Sequence, residues 1–154
     1  MSDPVFTDGA DSFTVASTGE VSLSFLGGND TLIVKGGTAT MADMGEGDDY
    51  VRLQWGAATV DGADGADRFD IWTSGAVVSG GDGADLFTLR GGSGQVIHGD
   101  GGNDRVNLGH DIRDVTIDLG IGDDVFVGYG RALTGSIYGG EGRDKYARKY
   151  AARE

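Results

Sequence analysis

Eight Gly-x-Asp triplets recur along the chain at a nearly constant spacing, and this repeat constrains the fold more than any other feature of the sequence. The repeated aspartates are Asp11, Asp30, Asp49, Asp67, Asp85, Asp104, Asp124 and Asp144. Successive members lie about 19 residues apart, and a fixed period of this size is typical of a solenoid, in which each repeat forms one coil. The row from the first aspartate to the last therefore spans seven such periods.

Each triplet runs into a short stretch in which apolar residues alternate with others. The second and fourth residues after the repeated aspartates are Phe13 and Val15, Leu32 and Val34, Val51 and Leu53, Phe69 and Ile71, Phe87 and Leu89, Val106 and Leu108, and Phe126 and Gly128. All but the glycine are apolar, which is the period-two pattern of a strand with one buried face. A shorter second strand in each period is expected to point inward with Leu23, Met41, Val60, Val78, Ile97, Ile117 and Ile137.

Two short strands per period predict an all-β chain, a right-handed parallel β-roll or β-solenoid of about seven to eight coils. A single coil cannot bury its apolar face, so the core forms only when coils stack. We expect an N-terminal cap over residues 1–7, the solenoid over 8–146 and a basic capping tail over 147–154. Residues 145–154 lack glycine and have helix-forming composition, which predicts a short capping helix, with a frayed tail as the alternative.

The composition narrows the possible partners. The chain carries 25 acidic and 12 basic residues, a net charge of −13, whereas nucleic acids and anionic membranes require a cationic surface. No cysteine is present, so disulfides and zinc-thiolate sites are excluded, and no apolar run approaches the ~20 residues of a transmembrane helix. The two histidines are not tied by spacing to a nucleophile, so we do not expect an enzyme. An acidic surface instead favours cations.

The repeated turns are the expected place for those cations. Coils stacked at ~4.8 Å would align one carboxylate per coil along a single edge, where like charges repel unless they are neutralised. Calcium takes about six to eight carboxylate and carbonyl oxygens, and glycine turns can direct carbonyls inward. We therefore predict several calcium ions, about one per gap between coils, held by the eight repeated aspartates and by Gly28, Gly47, Gly65, Gly83, Gly102, Gly122 and Gly142, with Asp64 and Asp82 beside them. The alternative is turn chemistry alone, since Asp and Gly favour turns.

The turn sequences resemble the RTX, or hemolysin-type, nonapeptide G-G-x-G-x-D-x-apolar-x. Residues 80–88 and 139–147 match it throughout, and residues 99–107 match except at the second position. The resemblance implies a β-roll that binds calcium between its coils and folds when calcium is present. It also implies a secreted, extracellular protein, bacterial and exported by the type I route, that acts as a structural module or as an appendage of a secreted enzyme.

One edge only keeps this pattern. Residues 91–96 retain the glycines but place Val96 where the aspartate would be, so we expect calcium along a single edge. Calcium-dependent ice-binding solenoids have a similar period, but the regular row of Thr and Asn beside their metal turns is missing here.

The calcium-free edge has a composition of its own, with aromatic and basic residues: Trp55, Trp72, Arg90, Arg113 and Tyr129. Aromatic rings beside arginines can stack on sugars and bind carboxylates. The alternative function is therefore an adhesin or a carbohydrate-binding module, with a polysaccharide or a partner protein as the ligand. These side chains could equally cover the edge and balance the acidic one.

Overall fold

The computed structural model of the chain describes residues 4–16, 18–109, 112–129 and 134–149. Within these ranges the chain is all-β and contains no helix. The described residues form fifteen strands in two parallel sheets, and each strand pairs with its equivalents one coil away. The predicted solenoid and its period are therefore confirmed.

The first sheet holds the strands that follow the Gly-x-Asp triplets. In stacking order they are β1 (Ser12–Val15), β3 (Thr31–Val34), β5 (Tyr50–Leu53), β7 (Arg68–Ile71), β9 (Leu86–Leu89), β11 (Arg105–Leu108), β13 (Val125–Tyr129) and β15 (Lys145–Lys149). The second sheet stacks β2 (Glu20–Ser24), β4 (Ala39–Asp43), β6 (Ala58–Asp61), β8 (Val77–Asp82), β10 (Val96–Gly101), β12 (Val115–Asp118) and β14 (Gly135–Tyr138).

The first sheet has the predicted register, and its apolar columns form the core. Leu32 pairs with Val51, and Phe69 pairs with Phe87, so equivalent side chains lie one above the other. All four are fully buried. The rings of Phe69 and Phe87 stack with their centroids 5.0 Å apart and their planes 8° from parallel. An aromatic pair contributes about 0.5–1.5 kcal/mol beyond the area it buries, so this stack stabilises the contact between these two coils.

In the second sheet, the predicted inward position of Met41 is wrong. Leu23 pairs with Ala42, and Ala42 pairs with Val60, so the inward column passes through Ala42. Met41 is 60% exposed, whereas Ala42 and Thr40 are buried. The other inward positions, from Val60 to Ile117, are buried as predicted. The register follows the neighbouring coils because a shift by one residue would reverse every side chain of the strand.

The two ends of the solenoid differ. At the N-terminal end, Phe6 packs against Phe25 and Phe13, with ring centroids 3.9 Å and 5.8 Å away. At the C-terminal end, the predicted helix is wrong over residues 145–149, which form β15 and pair with β13. The unpaired edge of β13 offers hydrogen bonds that an extended chain satisfies, and this outweighs helix propensity. The remainder of that helix prediction, residues 150–154, lies outside the described residues.

Candidate metal centre

Six aspartates form a buried ladder along one edge, at the turns that lead into the first sheet. They are Asp30, Asp49, Asp67, Asp85, Asp104 and Asp124, and none is more than 2% exposed. Asp11 and Asp144, at the two ends of the row, are half-buried. The sequence therefore identified the row correctly, and the fold places it inside the edge of the protein.

One carboxylate oxygen of each ladder residue has a defined partner in the neighbouring coil. The backbone N–H of each repeated aspartate donates to Oδ1 of the next one, from Asp11 to Asp30 and onward to Asp144. The seven donor–acceptor distances lie between 2.6 and 3.2 Å. The carboxylates thus hold adjacent coils together through hydrogen bonds that run along the axis.

The other oxygen, Oδ2, lacks a hydrogen-bond partner among the described residues at each of the six buried positions. A buried acceptor left without a donor costs about 1–3 kcal/mol, and more when it is charged. The first coil shows a different solution, because there the Oδ2 of Asp11 accepts from Thr7 N at 2.7 Å and Thr7 Oγ1 at 3.1 Å. The interior of the ladder therefore presents a row of orphaned acceptors that its end does not have.

Three of the orphaned oxygens, those of Asp67, Asp85 and Asp104, each face the glycine at the start of their own turn: Gly62, Gly80 and Gly99. A Cβ added at Gly80 would collide with Asp85 Oδ2 and lie 2.9 Å from the carbonyl oxygen of Gly99, in the next coil. At Gly62 and Gly99 it would likewise meet both the aspartate Oδ2 and a carbonyl from the next coil. Oδ2 and a main-chain carbonyl therefore share the space that the missing Cβ leaves. Two acceptors placed together call for a cation or a proton between them.

The burial of these carboxylates has an electrostatic consequence. Loss of solvation, which outweighs the hydrogen bond from the neighbouring backbone, raises the pKa of Asp49, Asp67 and Asp104 to about 7 and that of Asp85 to about 6. The same burial raises the pKa of Asp30 and Asp124. Repulsion from neighbouring carboxylates adds to each increase. The negative form of the ladder is thus disfavoured unless a counter-charge accompanies it.

The glycines of the triplets have a steric reason for their presence. Gly83 has a φ of 142°, and a Cβ there would collide with the carbonyl oxygen of Gly65 in the preceding coil. The same collision with the preceding glycine carbonyl occurs at Gly47, Gly65, Gly102, Gly122 and Gly142, and at Gly28 the Cβ would meet the carbonyl carbon of Gly9. The role of their carbonyls as calcium ligands stays a prediction.

This packing predicts a large cost for a single methyl group. We expect Gly83→Ala to lower the free energy of unfolding by about 3 kcal/mol or more, since it adds both a strained φ and a collision with backbone. Gly75→Ala is the matched control, because Gly75 also has a positive φ, 67°, but no atom of the described residues lies within 4 Å of the added Cβ. The control should lose only about 1–2 kcal/mol from strain. Urea unfolding measures both, and equal losses would contradict the steric role.

Other acidic residues of these turns lie on the surface. Asp64 and Asp82, predicted beside the metal, are exposed, and their backbones form a parallel β-bridge from one coil to the next. A second ladder, which the sequence reasoning missed, uses the middle residue of the triplet. Asn29 Oδ1 accepts from Asp48 N at 3.1 Å and Asp48 Oδ1 from Ala66 N at 3.0 Å. The signal for it was available, because four of the eight middle residues are Asn or Asp: Asn29, Asp48, Asn103 and Asp123.

In the described ranges, no group of three or more His, Asp or Glu side chains converges closely enough to hold a metal ion by itself. The oxygens that do come together, in the turns of Asp67, Asp85 and Asp104, are one carboxylate Oδ2 and one main-chain carbonyl. This is the donor set that a hard cation such as calcium accepts. The residues present therefore fit a calcium ion in the type of ligand that they offer.

The residues predicted for the calcium-free edge lie away from the aspartate ladder, mostly in the turns that follow strands of the first sheet. Trp72 and Arg90 meet, with the guanidinium carbon 5.2 Å from the ring centre, whereas Trp55 is 71% exposed and Arg113 is exposed elsewhere. The side chain of Tyr129 lies outside the described residues. The sequence reasoning missed four further members of this group: Tyr50, Arg52, Arg68 and Asp70.

Comparisons with known proteins add no relative. No family model, no curated protein and no solved structure matches the chain. The part of the chain that the structure describes also contains no helix long and apolar enough to cross a membrane.

Proposed function

We propose that the protein is a calcium-binding structural module of the RTX β-roll type, whose folding depends on calcium. The observation that carries this proposal is the row of six buried Oδ2 atoms that have no hydrogen-bond partner in the part of the chain that the structure describes. Such a row destabilises the protein by itself, since each atom is an unsatisfied acceptor and neighbouring carboxylates repel. A chain that keeps it at every interior coil requires a bound counter-charge to fold stably.

The residues that would hold calcium are the six buried aspartates, through Oδ2, with carbonyls such as those of Gly80 and Gly99. Bound calcium would supply the missing positive charge, and these oxygens would be among its ligands. The contribution of the chain is to keep the oxygens in place, because Oδ1 of each aspartate is already fixed by the backbone of the adjacent coil. The exposed Asp64 and Asp82 would add to the negative potential of this edge.

A proton is the competing occupant of the same space. A neutral aspartic acid could donate from Oδ2 to the nearby carbonyl and satisfy both atoms, and the raised pKa values favour this form. The two occupants predict opposite responses. Calcium binding weakens on acidification because the carboxylates must be deprotonated, whereas the proton-filled ladder gains stability.

The calcium dependence of folding tests the proposal. At pH 7.5, we expect circular dichroism to show a largely unfolded or weakly stable chain in EGTA and a β-rich, cooperative fold in millimolar calcium. Calorimetric titration should give about six or seven ions, one for each gap between coils, and magnesium at the same concentration should not replace calcium. A spectrum that is fully folded in EGTA and unchanged by calcium would overturn the proposal.

The biological setting that we propose follows from this dependence. Cytosolic calcium is too low to fill weak sites, so the chain would remain unfolded before export and fold on reaching millimolar calcium outside the cell. Secretion by the type I route from a bacterium fits this sequence of events. Expression with calcium-buffered medium, followed by protease digestion of the secreted chain, tests it: the chain should resist the protease only when calcium is supplied.

A further inference from the structure

A compact group of basic and aromatic side chains stands out on the surface of this acidic chain. It lies on the outer face of the first sheet, in three consecutive coils, and we name it the arginine cluster: Tyr50, Arg52, Arg68, Asp70, Trp72 and Arg90. Three arginines gather here in a chain whose net charge is −13. Since the cluster has a single carboxylate, its net charge is +2.

Asp70 is buried beneath the cluster and contacts three of its members. Its side chain is only 4% exposed, and it accepts from Tyr50 Oη at 2.9 Å and from Arg90 Nη2 at 3.4 Å. Arg68 Nη2 lies 3.9 Å from the same carboxylate. A single buried carboxylate neutralises one guanidinium, so the arginines retain an excess of positive charge at the surface.

Trp72 and Tyr50 position the guanidinium groups. Trp72 belongs to the coil between those of Arg52 and Arg90, whose guanidinium carbons lie 5.6 Å and 5.2 Å from its ring centre. Arg52 Nε also donates to Tyr50 Oη at 2.9 Å. Cation–π contacts and this hydrogen bond hold long side chains that would otherwise be mobile. The arginine side chains are therefore already ordered before a ligand binds, so binding loses less conformational entropy.

The guanidinium groups keep most of their donors for a ligand. Among the residues that the structure describes, their hydrogen bonds are those from Arg52 to Tyr50 and from Arg90 to Asp70. Arg68 and Arg90 are half-exposed, with 51% and 44% of their side-chain surface accessible. A guanidinium has five N–H donors in a planar fork that fits a carboxylate with two hydrogen bonds.

An exposed tryptophan lies in the neighbouring turn, where the hydroxyl of Thr73, which follows Trp72, donates at 2.7 Å to the carbonyl oxygen of Gly56, which follows this tryptophan. Trp55 follows β5, one coil from Trp72, and is 71% exposed. An aromatic ring left this open is unusual, because tryptophan is normally among the most buried residues on average. Its free face can pack against the apolar face of a sugar ring, which Trp72 cannot offer while arginines lie over it.

We propose that the arginine cluster and Trp55 bind a polysaccharide with spaced carboxylate groups, that is, one containing uronic acids. The guanidinium forks would bind the carboxylates, and Trp55 would stack on a neighbouring sugar. Single-stranded nucleic acid also combines anions with stacking faces, but its phosphate at every nucleotide requires an extended cationic track. A local excess of +2 on a chain of net charge −13 favours the sparsely charged ligand. This site is separate from the calcium ladder and does not rest on the proposed function.

The test uses the whole chain in millimolar calcium and a hyaluronate hexasaccharide, whose carboxylates alternate with neutral sugars, as the probe in calorimetry. We expect Arg68→Gln and Arg90→Gln each to weaken binding about tenfold, which is the effect of a lost charge-assisted hydrogen bond. Trp55→Ala should weaken it about fivefold. The matched control is Arg105→Gln, because Arg105 occupies the same outward row as Arg68 but hydrogen-bonds to Asn107 outside the cluster.

The outcomes separate the ligand classes. Binding that is weakened by these factors in Arg68→Gln, Arg90→Gln and Trp55→Ala, retained in Arg105→Gln and absent with neutral dextran supports the proposal. No binding of the hexasaccharide, an equal loss in the control, or tighter binding of oligo-dT or polyglutamate than of the hexasaccharide overturns it. Circular dichroism of each variant in calcium verifies that it is folded, so failure here leaves the calcium proposal unaffected.

Discussion

Replacing Asp67 and Asp85 together by asparagine is expected to raise the melting temperature in calcium-free buffer and to lower it in calcium. The two substitutions are isosteric and change only the atom that the structure leaves unpaired. Asn Oδ1 can still accept from the backbone N–H of the preceding aspartate, as Asp67 and Asp85 do now at 2.7 Å and 2.8 Å. The amide Nδ2 would replace Oδ2, so that a donor stands where an orphaned acceptor stood.

The calcium-free gain has two sources. Nδ2 can donate to the carbonyl that shares its space, such as that of Gly99 beside position 85, and a buried unsatisfied acceptor is removed. Each neutral side chain also ends the repulsion with the carboxylates above and below, which contributes to the raised pKa of Asp67. Together these effects should stabilise the calcium-free fold by about 1–3 kcal/mol, or several degrees in melting temperature.

In calcium the sign should reverse. The double variant loses two of the six buried carboxylates, and an amide oxygen turned to the neighbouring coil leaves only N–H groups toward the metal. A site filled at about 100 times its Kd stabilises the fold by about 2.7 kcal/mol, so the loss of two such sites would exceed the gain described above. Thermal melts followed by circular dichroism, in EGTA and in 5 mM calcium chloride, measure both signs.

The matched control is Asp118→Asn, which makes one such charge change at an exposed position on the outer face of β12. It should shift neither melt appreciably, since exposed substitutions away from such features stay within about 0.5 kcal/mol. A double variant that is destabilised in both buffers would show that the carboxylates have a purely structural role. If the double variant and the wild type gave equal calcium titrations, Asp67 and Asp85 would not be calcium ligands.

The sequence was sufficient for the first sheet because its signal is redundant. Leu32, Val51, Phe69 and Phe87 repeat at one position relative to a recurring turn, so each coil confirms the register of the next. The second sheet lacks this anchor. In residues 39–42, small and large residues alternate without a clear apolar face, and the local sequence favours burial of the larger Met41. The register of β4 is set instead by its pairing with β2 and β6, which the local sequence does not reveal.

For the metal edge, the sequence identifies the residues but not the atoms. The repeated aspartates could be recognised from their spacing, yet only the fold shows that Oδ1 is bound to the adjacent coil and Oδ2 is left free. The arginine cluster was also partly accessible. Tyr50 and Arg68 follow their aspartates by one residue, and Arg52 and Asp70 by three, so alignment of the periods already brings them side by side. What alignment could not give is the burial of Asp70 beneath them.

Acidification is expected to stabilise the calcium-free protein between about pH 7 and pH 4, which is the reverse of what a carboxylate in an ion pair would do. The folded state raises the pKa of Asp49, Asp67 and Asp104 from the ordinary value of 3.8 to about 7, and that of Asp85 to about 6. Between these limits the folded chain binds more protons than the unfolded chain, so the free energy of unfolding falls as the pH rises. The stabilisation is complete below the unfolded pKa and is lost as the pH passes through the folded one. Melting temperatures at pH 5, 6, 7 and 8 in calcium-depleted buffer should therefore decrease steadily.

The same series in calcium separates this effect from the general repulsion of a chain with a net charge of −13, which also weakens the fold as the pH rises. With saturating calcium, the melting temperature should instead increase with pH. Calcium competes with protons for the same Oδ2 atoms and binds only when the carboxylates are ionised. The Asp67→Asn, Asp85→Asn double variant should show a shallower slope in both buffers, since two of the titrating groups are gone, whereas Asp118→Asn should retain the slopes of the wild type. Stability that rises with pH in calcium-depleted buffer would contradict the raised pKa values of the buried ladder. A pH dependence that calcium leaves unchanged would show that a proton, and not calcium, occupies the space beside Oδ2.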